Sequence, residues 1–450
     1  MSNDFDAVKP EWWIAETLRK LRTQAPIVNF VSKDFQNVFA QAGEYATAHF
    51  PGTFEAVAKL RGGAIAMQDA TTVAVPVKLN QHKVVPFKIE DRDKSSSFVN
   101  LSNLYAAPAA DAIGNAFAAS VMGEAYNLYY KGAKSAGKIG TAVDDACLRR
   151  LSRRARENKW PTGNRGLFCG AVTEETLLGI TRLTEAQTAG SGAPIIQGRI
   201  GGGYGFDFYA SGYGTEVVSP TAATLAGAVN RVGGYTAGST TLVVDTFTAI
   251  LVTGAWITIA GDMTPQRITA HTEGGSPSYT TGITITPGLS YDVANDAAIT
   301  YYTPQAVDGT CVAGYEGDIV LDAAVPVVEG QGISVGGYAY MITKVTYANS
   351  EYTCSLNRPL DAEATNDAVV GVFPVGNYDL AILRDAIGIV SRPMVLPTAA
   401  GVSAAQGNVQ GISIRYLEAY DPTYLAEISI IDTLFGVSSL DANKAILLFS

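Results

Sequence analysis

Between residues 239 and 373 the chain writes one pattern twice, and this internal duplication restricts its fold more than any other feature of the sequence. The first copy runs Leu242-Val243-Val244-Asp245, then Gly254 to Gly261 around Trp256-Ile257-Thr258-Ile259, then Arg267-Ile268-Thr269, Gly282 to Leu289, and Asn295-Asp296-Ala297. The second answers in the same order with Ile319-Val320-Leu321-Asp322, Gly330 to Gly337, Met341-Ile342-Thr343, Thr353 to Leu360, and Asn366-Asp367-Ala368. Each copy alternates apolar and polar residues over short runs broken by Gly, Pro, Asn and Asp, the pattern of half-buried strands joined by tight turns. Two tandem small β-barrels or sandwiches are expected. Neither copy gathers His, Cys or paired carboxylates, so the duplication supplies surface and contact area rather than chemistry.

The flanks carry a different balance of charge. Residues 216–374 hold 15 acidic and 4 basic side chains, which accounts for more than the whole net charge of -10 and leaves the rest of the chain nearly neutral. Within that remainder, residues 131–165 concentrate Lys131, Lys134, Lys138, Arg149, Arg150, Arg153, Arg154, Arg156, Lys159 and Arg165 against Asp144, Asp145 and Glu157. With 47% hydrophobic and 16% charged residues over 450 positions, the composition is that of a globular chain of two to three domains. Cys147, Cys169, Cys311 and Cys354 lack the close spacing of a zinc or redox motif and are expected as free thiols in a reducing compartment. The opening Met1 to Asp6 lacks the order of a signal peptide, and no run of 18 apolar residues suggests a membrane helix.

Outside the duplication, the spacing of Ile14, Leu18 and Leu21 after Pro10 predicts a helix in an N-terminal arm. Residues 50–90 alternate around Thr72 to Lys78 and Lys83 to Ile89, with Pro51-Gly52 and Gly62-Gly63 as turn signals, and read as a long two-stranded loop. Its prolines suit edge strands. From Ala106 to Tyr130 an Ala-rich stretch repeats Ile113, Phe117, Val121, Ala125 and Leu128, which predicts a long helix with one packing face and Pro108 in its first turn. A second helix is expected from a Thr141 cap, with Val143, Cys147, Leu151 and Ala155 inward and most of the arginines outward. Short strands are expected at 165–170, 206–211, 379–383, 386–393, 410–420 and 424–434, with a helix starting at Thr173.

Candidate chemistry is sparse. Gly201-Gly202-Gly203-Tyr204-Gly205 lacks both the spacing of a nucleotide fingerprint and a lysine-serine ending, and it runs into a strand, so it reads as a tight turn. His49, His82 and His271 are scattered, and no serine sits in a nucleophile elbow. Adjacent pairs such as Glu174-Glu175 and Asp144-Asp145 project in different directions from a helix and suit first-turn positions better than a shared proton. An enzyme reading has no residues to rest on, and no cofactor or metal is expected.

Several stretches resemble, in their order, a tailed-bacteriophage major capsid protein of the Hong Kong 97 type. They are Trp12 to Asn29 followed by Lys33-Asp34-Phe35, Phe87 to Lys94 leading into the Ala-rich helix, and Gly198-Arg199-Ile200-Gly201 closing on Gly205 to Ser211. Beyond the duplication, Leu380 to Pro393 and Ile412 to Tyr416 with Tyr420-Asp421 continue the likeness. The resemblance implies an α+β fold with an N-terminal arm (1–45), an extended loop (46–90), a peripheral domain with a spine helix (91–138), an axial domain (139–215 and 375–414) and C-terminal strands returning to the core (415–450). Residues 216–374 then form an all-β insertion domain of two repeats, about 239–302 and 315–373, where a single inserted barrel is the usual expectation. Some relatives cross-link subunits through a lysine of the extended loop. Lys59, Lys78 and Lys83 are available here, but no residue matches the catalytic acid, and that activity is not carried over.

The function so implied is a structural subunit that self-assembles as pentamers and hexamers into an icosahedral head around double-stranded DNA, in the virion after assembly in the host cytoplasm. Scaffolding protein, portal and a cement or decoration protein are the implied partners, with no membrane. Arg149, Arg153 and Arg156 are the candidate residues facing packaged DNA, since a cation near a phosphate releases counterions. An encapsulin-like compartment shell, a β-repeat surface or fibre protein and a hydrolase on an α+β scaffold are the alternatives. A protein cargo, a secretion signal, or a serine, histidine and carboxylate constellation would respectively distinguish them.

Overall fold

The computed structural model describes residues 27–33, 45–50, 73–90, 101–138, 144–180, 201–210, 225–245, 247–275, 279–322, 326–374, 376–397, 402–409 and 411–449, with single positions 56, 58, 59, 61 and 183. The expected arm helix after Pro10, the turns at 51–52 and 62–63, and the Thr141 cap lie outside the described residues. A short helix α1 (Ile27–Phe30) leads to strands β1 (Tyr45–Phe50), β2 (Val73–Lys78) and β3 (Gln81–Glu90). Strands β1 and β2 pair antiparallel as a two-stranded ribbon. The expected loop ends there. Strand β3, with Lys83 to Ile89, instead forms ten residue pairs with a C-terminal strand of the main sheet. Its side chains alternate, with His82, Val84, Pro86, Lys88 and Glu90 outward, and this strand's second edge accommodates Pro86, which has no N–H to offer a further neighbour.

Helix α2 (Leu101–Tyr130) begins five residues before its expected start, which places Pro108 in the second turn rather than the first. It ends in a Schellman turn: Gly132, at φ 97°, donates to Tyr129, and Ala133 donates to Leu128. After β4 (Lys134–Lys138), helix α3 (Asp144–Glu157) closes the same way, with Lys159 at φ 58° in the place glycine normally takes. Cys147, Leu151 and Ala155 are buried as the spacing predicts. Strand β5 (Arg165–Cys169) is buried throughout, helix α4 (Ala171–Leu178) follows, and β6 (Gly202–Gly203) turns through Tyr204 and Gly205 into β7 (Phe206–Ala210), so the glycine cluster is a hairpin turn.

Two closed six-stranded barrels come next. The first holds β8 (Ala226–Val229), β9 (Thr241–Asp245), β10 (Trp256–Ile259), β11 (Gln266–Gly274), β12 (Tyr279–Thr286) and β13 (Ala298–Tyr302). The second holds β14 (Gln305–Asp308), β15 (Ile319–Asp322), β16 (Gly332–Val335), β17 (Tyr338–Ala348), β18 (Glu351–Leu356) and β19 (Val369–Val372). Their strand orders are the same once the two sets are aligned in sequence, and each barrel takes in one strand upstream of the legible repeat. Matching hydrogen bonds mark the duplication: Asn295 and Asn366 each donate to the aspartate that follows at 2.7 Å, and Asp296 and Asp367 sit at φ 60° and 61°. Those aspartates in turn donate N–H to Val229 and Val307.

The chain then returns. Strand β20 (Tyr378–Leu383) and the last described strand, β25 (Ala445–Phe449), sit side by side inside a six-stranded sheet ordered β4-β25-β20-β5-β7-β6. Between them in sequence, β21 (Ile387–Arg392), β22 (Val402–Val409), β23 (Ile412–Asp421) and β24 (Ala426–Ser439) form the second sheet with β3. One core joins α2 to both sheets and reaches Trp256, Ala339, Met341 and Phe373 of the barrels, while each barrel and the face of the six-stranded sheet under α3 has its own cluster.

Candidate functional site

The expected single packing face of α2 is half of the arrangement. Ile113, Phe117, Val121, Ala125 and Leu128 are buried, but every residue from Ser120 to Tyr129 is buried as well. The sheet covers one side of the helix and the second barrel covers the other. Sequence periodicity cannot show the second cover, because a helix apolar on all sides has no periodic signal to read.

Polar groups fix this seam. Glu124, fully buried, lies 2.6 Å from the Nε of Arg358 on the second barrel, and its other oxygen accepts from Asn127 at 3.0 Å and from the Ser439 N–H at 3.1 Å. Arg358 also pairs with Asp361, donates to the Ala339 carbonyl at 3.1 Å, and stacks over Tyr340 at 4.5 Å. Two residues along the helix, Tyr126 donates to the Gly330 carbonyl at 2.8 Å. Gly123 allows the approach: a Cβ there would fall on Nδ2 of Asn357 and lie 3.0 Å from its Cγ. A buried charge is tolerated when paired and hydrogen-bonded, as here.

The first barrel is held at the end of the same helix. Tyr129 donates to the Pro265 carbonyl and stacks on Trp256 with ring centroids 5.9 Å apart. Asp262 is buried and accepts from Thr264 at 2.9 Å, Gln266 at 2.7 Å and the Ser290 N–H at 2.9 Å, while burial pushes its carboxyl up to about 6. Barrel meets barrel where Trp256 packs on Phe373 at 4.0 Å and donates to Ser334 at 3.3 Å.

The arginines of α3 divide. Arg149, Arg153 and Arg156 are exposed on one face, beside Ser152, Glu157 and Tyr204 in a shallow groove. Arg150 turns inward, with its guanidinium 3.2 Å from the ring centre of Tyr291 on the first barrel, and Arg154 pairs with Glu157 at 2.9 Å. Arg153 also pairs with Glu157, at 2.7 Å. The helix therefore holds the barrel with one side and offers cations to solvent with the other.

A further buried acid went unread in the sequence. Asp379 on β20 accepts from the Gly170 N–H at 2.8 Å and the Thr173 hydroxyl at 2.5 Å at the start of α4, and burial pushes its carboxyl up to about 7. Burial likewise pushes the Cys169 and Cys354 thiols up to about 12, and all four cysteines are free and buried. Of the histidines, His82 lies 3.3 Å from Asp432 and His271 3.5 Å from Glu273. Among the described residues no group of three or more His, Cys, Asp or Glu is placed to hold a metal, and no helix is long and apolar enough to cross a membrane.

No family model and no curated protein matches the chain. Solved structures similar to it include one from Mycobacterium phage Che8, at 11% identity over 94% of this chain and 91% of that one with a TM-score of 0.44. The capsid structure of the cyanophage P-SCSP1u is similar at 11% identity over 91% and 84%, with a TM-score of 0.41, and that of Staphylococcus phage Andhra at 6% over 94% and 86%, with a TM-score of 0.38. Along most of its length the chain is similar to bacteriophage structures, capsids among them.

Proposed function

We propose that the chain is the major capsid protein of a tailed bacteriophage, a structural subunit that self-assembles as pentamers and hexamers into an icosahedral head enclosing double-stranded DNA. The observation that carries this reading is the ribbon β1–β2. Its strands pair with each other and with no third strand among the described residues, and it runs directly into β3 on the sheet beneath α2. The ribbon's base is anchored within the chain, where Val77 is buried beside Val390 and Leu440, but a two-stranded ribbon is marginal in water where nothing further covers it, and a neighbour in a closed symmetric assembly would supply that cover. The order of parts, from ribbon to long helix to six-stranded sheet, is also the order that the sequence resemblance implies.

In this reading the exposed face of Arg149, Arg153 and Arg156 meets packaged phosphates, and the acidic barrels face away from the DNA, which would repel them. Scaffolding protein and portal are the partners such a head requires. Electron microscopy of the purified chain tests the assembly: closed shells are expected, and a soluble monomer under all conditions overturns it. Replacing the three arginines with Gln should leave empty shells intact and lower genome retention, whereas retention equal to wild type removes them from the DNA-facing role.

A further inference from the structure

The solvent face of α3 ends in an acid. Glu157 is the helix's last residue, where a carboxylate meets the negative end of the macrodipole and a cation is the favoured side chain. Two neighbours hold it. Arg153 donates from Nε at 2.7 Å and Arg154 from Nη1 at 2.9 Å, and these bonds, that of Arg153 first, keep its carboxyl below the usual carboxylate range. Exposed pairs three and four residues apart add little to stability, so stability does not account for an acid at this place.

Glu157 also lines the shallow groove that it shares with Arg149, Ser152, Arg153, Arg156 and Tyr204. That lining brings three guanidiniums, two hydroxyls and one carboxylate. Arg149 and Arg156 stand about 10 Å apart along the axis, at about 1.5 Å per residue. One strand of a DNA duplex passes about three phosphates in that length. The excess of cations complements the strand, and the Ser152 and Tyr204 hydroxyls are of the kind that donate to phosphate oxygens.

We propose that Glu157 is a built-in competitor for DNA phosphates: it occupies Arg153 and Arg154, so that an entering phosphate must displace a carboxylate before it gains the Arg153 fork. The inference rests on the reading of this face as the one that meets packaged DNA. Arginine otherwise grips a phosphate with two parallel hydrogen bonds. With the carboxylate present the grip is weaker and is released sooner, which suits a wall past which a strand is drawn.

The test is binding of a fluorescein-labelled DNA duplex to the full chain, read by anisotropy over a range of salt, for wild type, Glu157→Gln and the triple variant Arg149→Gln, Arg153→Gln and Arg156→Gln. Glu157→Gln is expected to bind roughly threefold more tightly at low salt, with a slope of log affinity against log salt steeper by about one, and the triple variant to bind roughly tenfold more weakly. Affinity and slope equal to wild type in Glu157→Gln, with the triple variant weakened, would overturn the competitor and leave the DNA-facing reading standing. A triple variant that binds like wild type would overturn that reading and the competitor with it. Polyglutamate bound more tightly than the duplex at equal charge would give the groove to an acidic protein and refute the proposal. Should Glu157→Gln not fold, Glu157→Ala takes its place with the same outcomes, and failure of both to fold would make Glu157 a structural residue and sink the idea.

Discussion

Glu124 and Arg358 offer the sharpest test of whether the barrels are welded to α2 or merely rest on it. Both side chains are buried, at 0% and 4% relative exposure, and their charged atoms lie 2.6 Å apart. Removing one partner of a buried pair costs about 3–5 kcal/mol, because the other is left desolvated and unpaired. The two single changes should differ. Arg358→Met takes the guanidinium from Glu124 and leaves it the neutral donors Asn127 and Ser439 and the field of the Lys131 ammonium without a direct ion pair, and belongs at the upper end, about 4–5 kcal/mol. Glu124→Leu leaves Arg358 with Asp361 and belongs near the lower end, about 3 kcal/mol. In the double variant neither charge is orphaned, so the loss should be smaller than either single loss rather than their sum. Urea unfolding of the isolated chain measures all four corners of the cycle, with constant slope as the check that only stability changes. Single losses below about 1 kcal/mol, or a double variant equal to the sum, would refute the weld, since such values belong to an exposed pair.

Asp379 holds a proton in the folded state up to about pH 7, where an unfolded aspartate has lost it near 4, so unfolding releases a proton in that window. Stability therefore falls as pH rises from 4 to 7, by up to about 4 kcal/mol at 1.36 kcal/mol per unit, and levels off above. Asp262 adds the same sense of change up to about 6. Asp379→Asn can keep both partners, and thermal melts should show it flatter than wild type between pH 5 and 8 and more stable at pH 8. A variant less stable than wild type there would mean the carboxylate is ionised at the α4 start. Gly123→Ala should lower stability by about 1–3 kcal/mol despite alanine's better helix propensity, because its methyl collides with Asn357; a higher melting temperature would mean the seam is looser than described. Lys159→Gly should raise stability by about 1 kcal/mol by relieving the left-handed backbone that ends α3, and a loss in denaturant midpoint would count against that turn.

What the sequence revealed follows from which interactions leave a periodic trace. The barrels were legible because alternation and turn residues occur twice, and the twin Asn-Asp turns at 295–296 and 366–367 recur as the same hydrogen bonds. The inner stripe of α3 was legible for the same reason. The seam was not: Glu124 and Arg358 are 234 positions apart, each is a lone charge in its local context, and their pairing exists only once the second barrel folds back on the helix. Strand β3 was assigned to the loop because alternation marks a strand without naming its partner, and that partner, β24, lies more than 300 residues further on. Asp379 sits in an apolar run where it reads as a strand residue, and nothing local announces that α4 starts against it.

The place of β25 has a consequence for the order in which the molecule can form. Each barrel closes using strands from one uninterrupted stretch, so both can complete while later residues are still being synthesised. The six-stranded sheet cannot. Residues 445–449 are its second strand, flanked by β4 and β20, and until they leave the ribosome those two strands have no bridge between them. Folding therefore has a built-in order: each barrel can close as soon as its own stretch has been made, while the main core that rests on the six-stranded sheet stays incomplete until residues 445–449 are available.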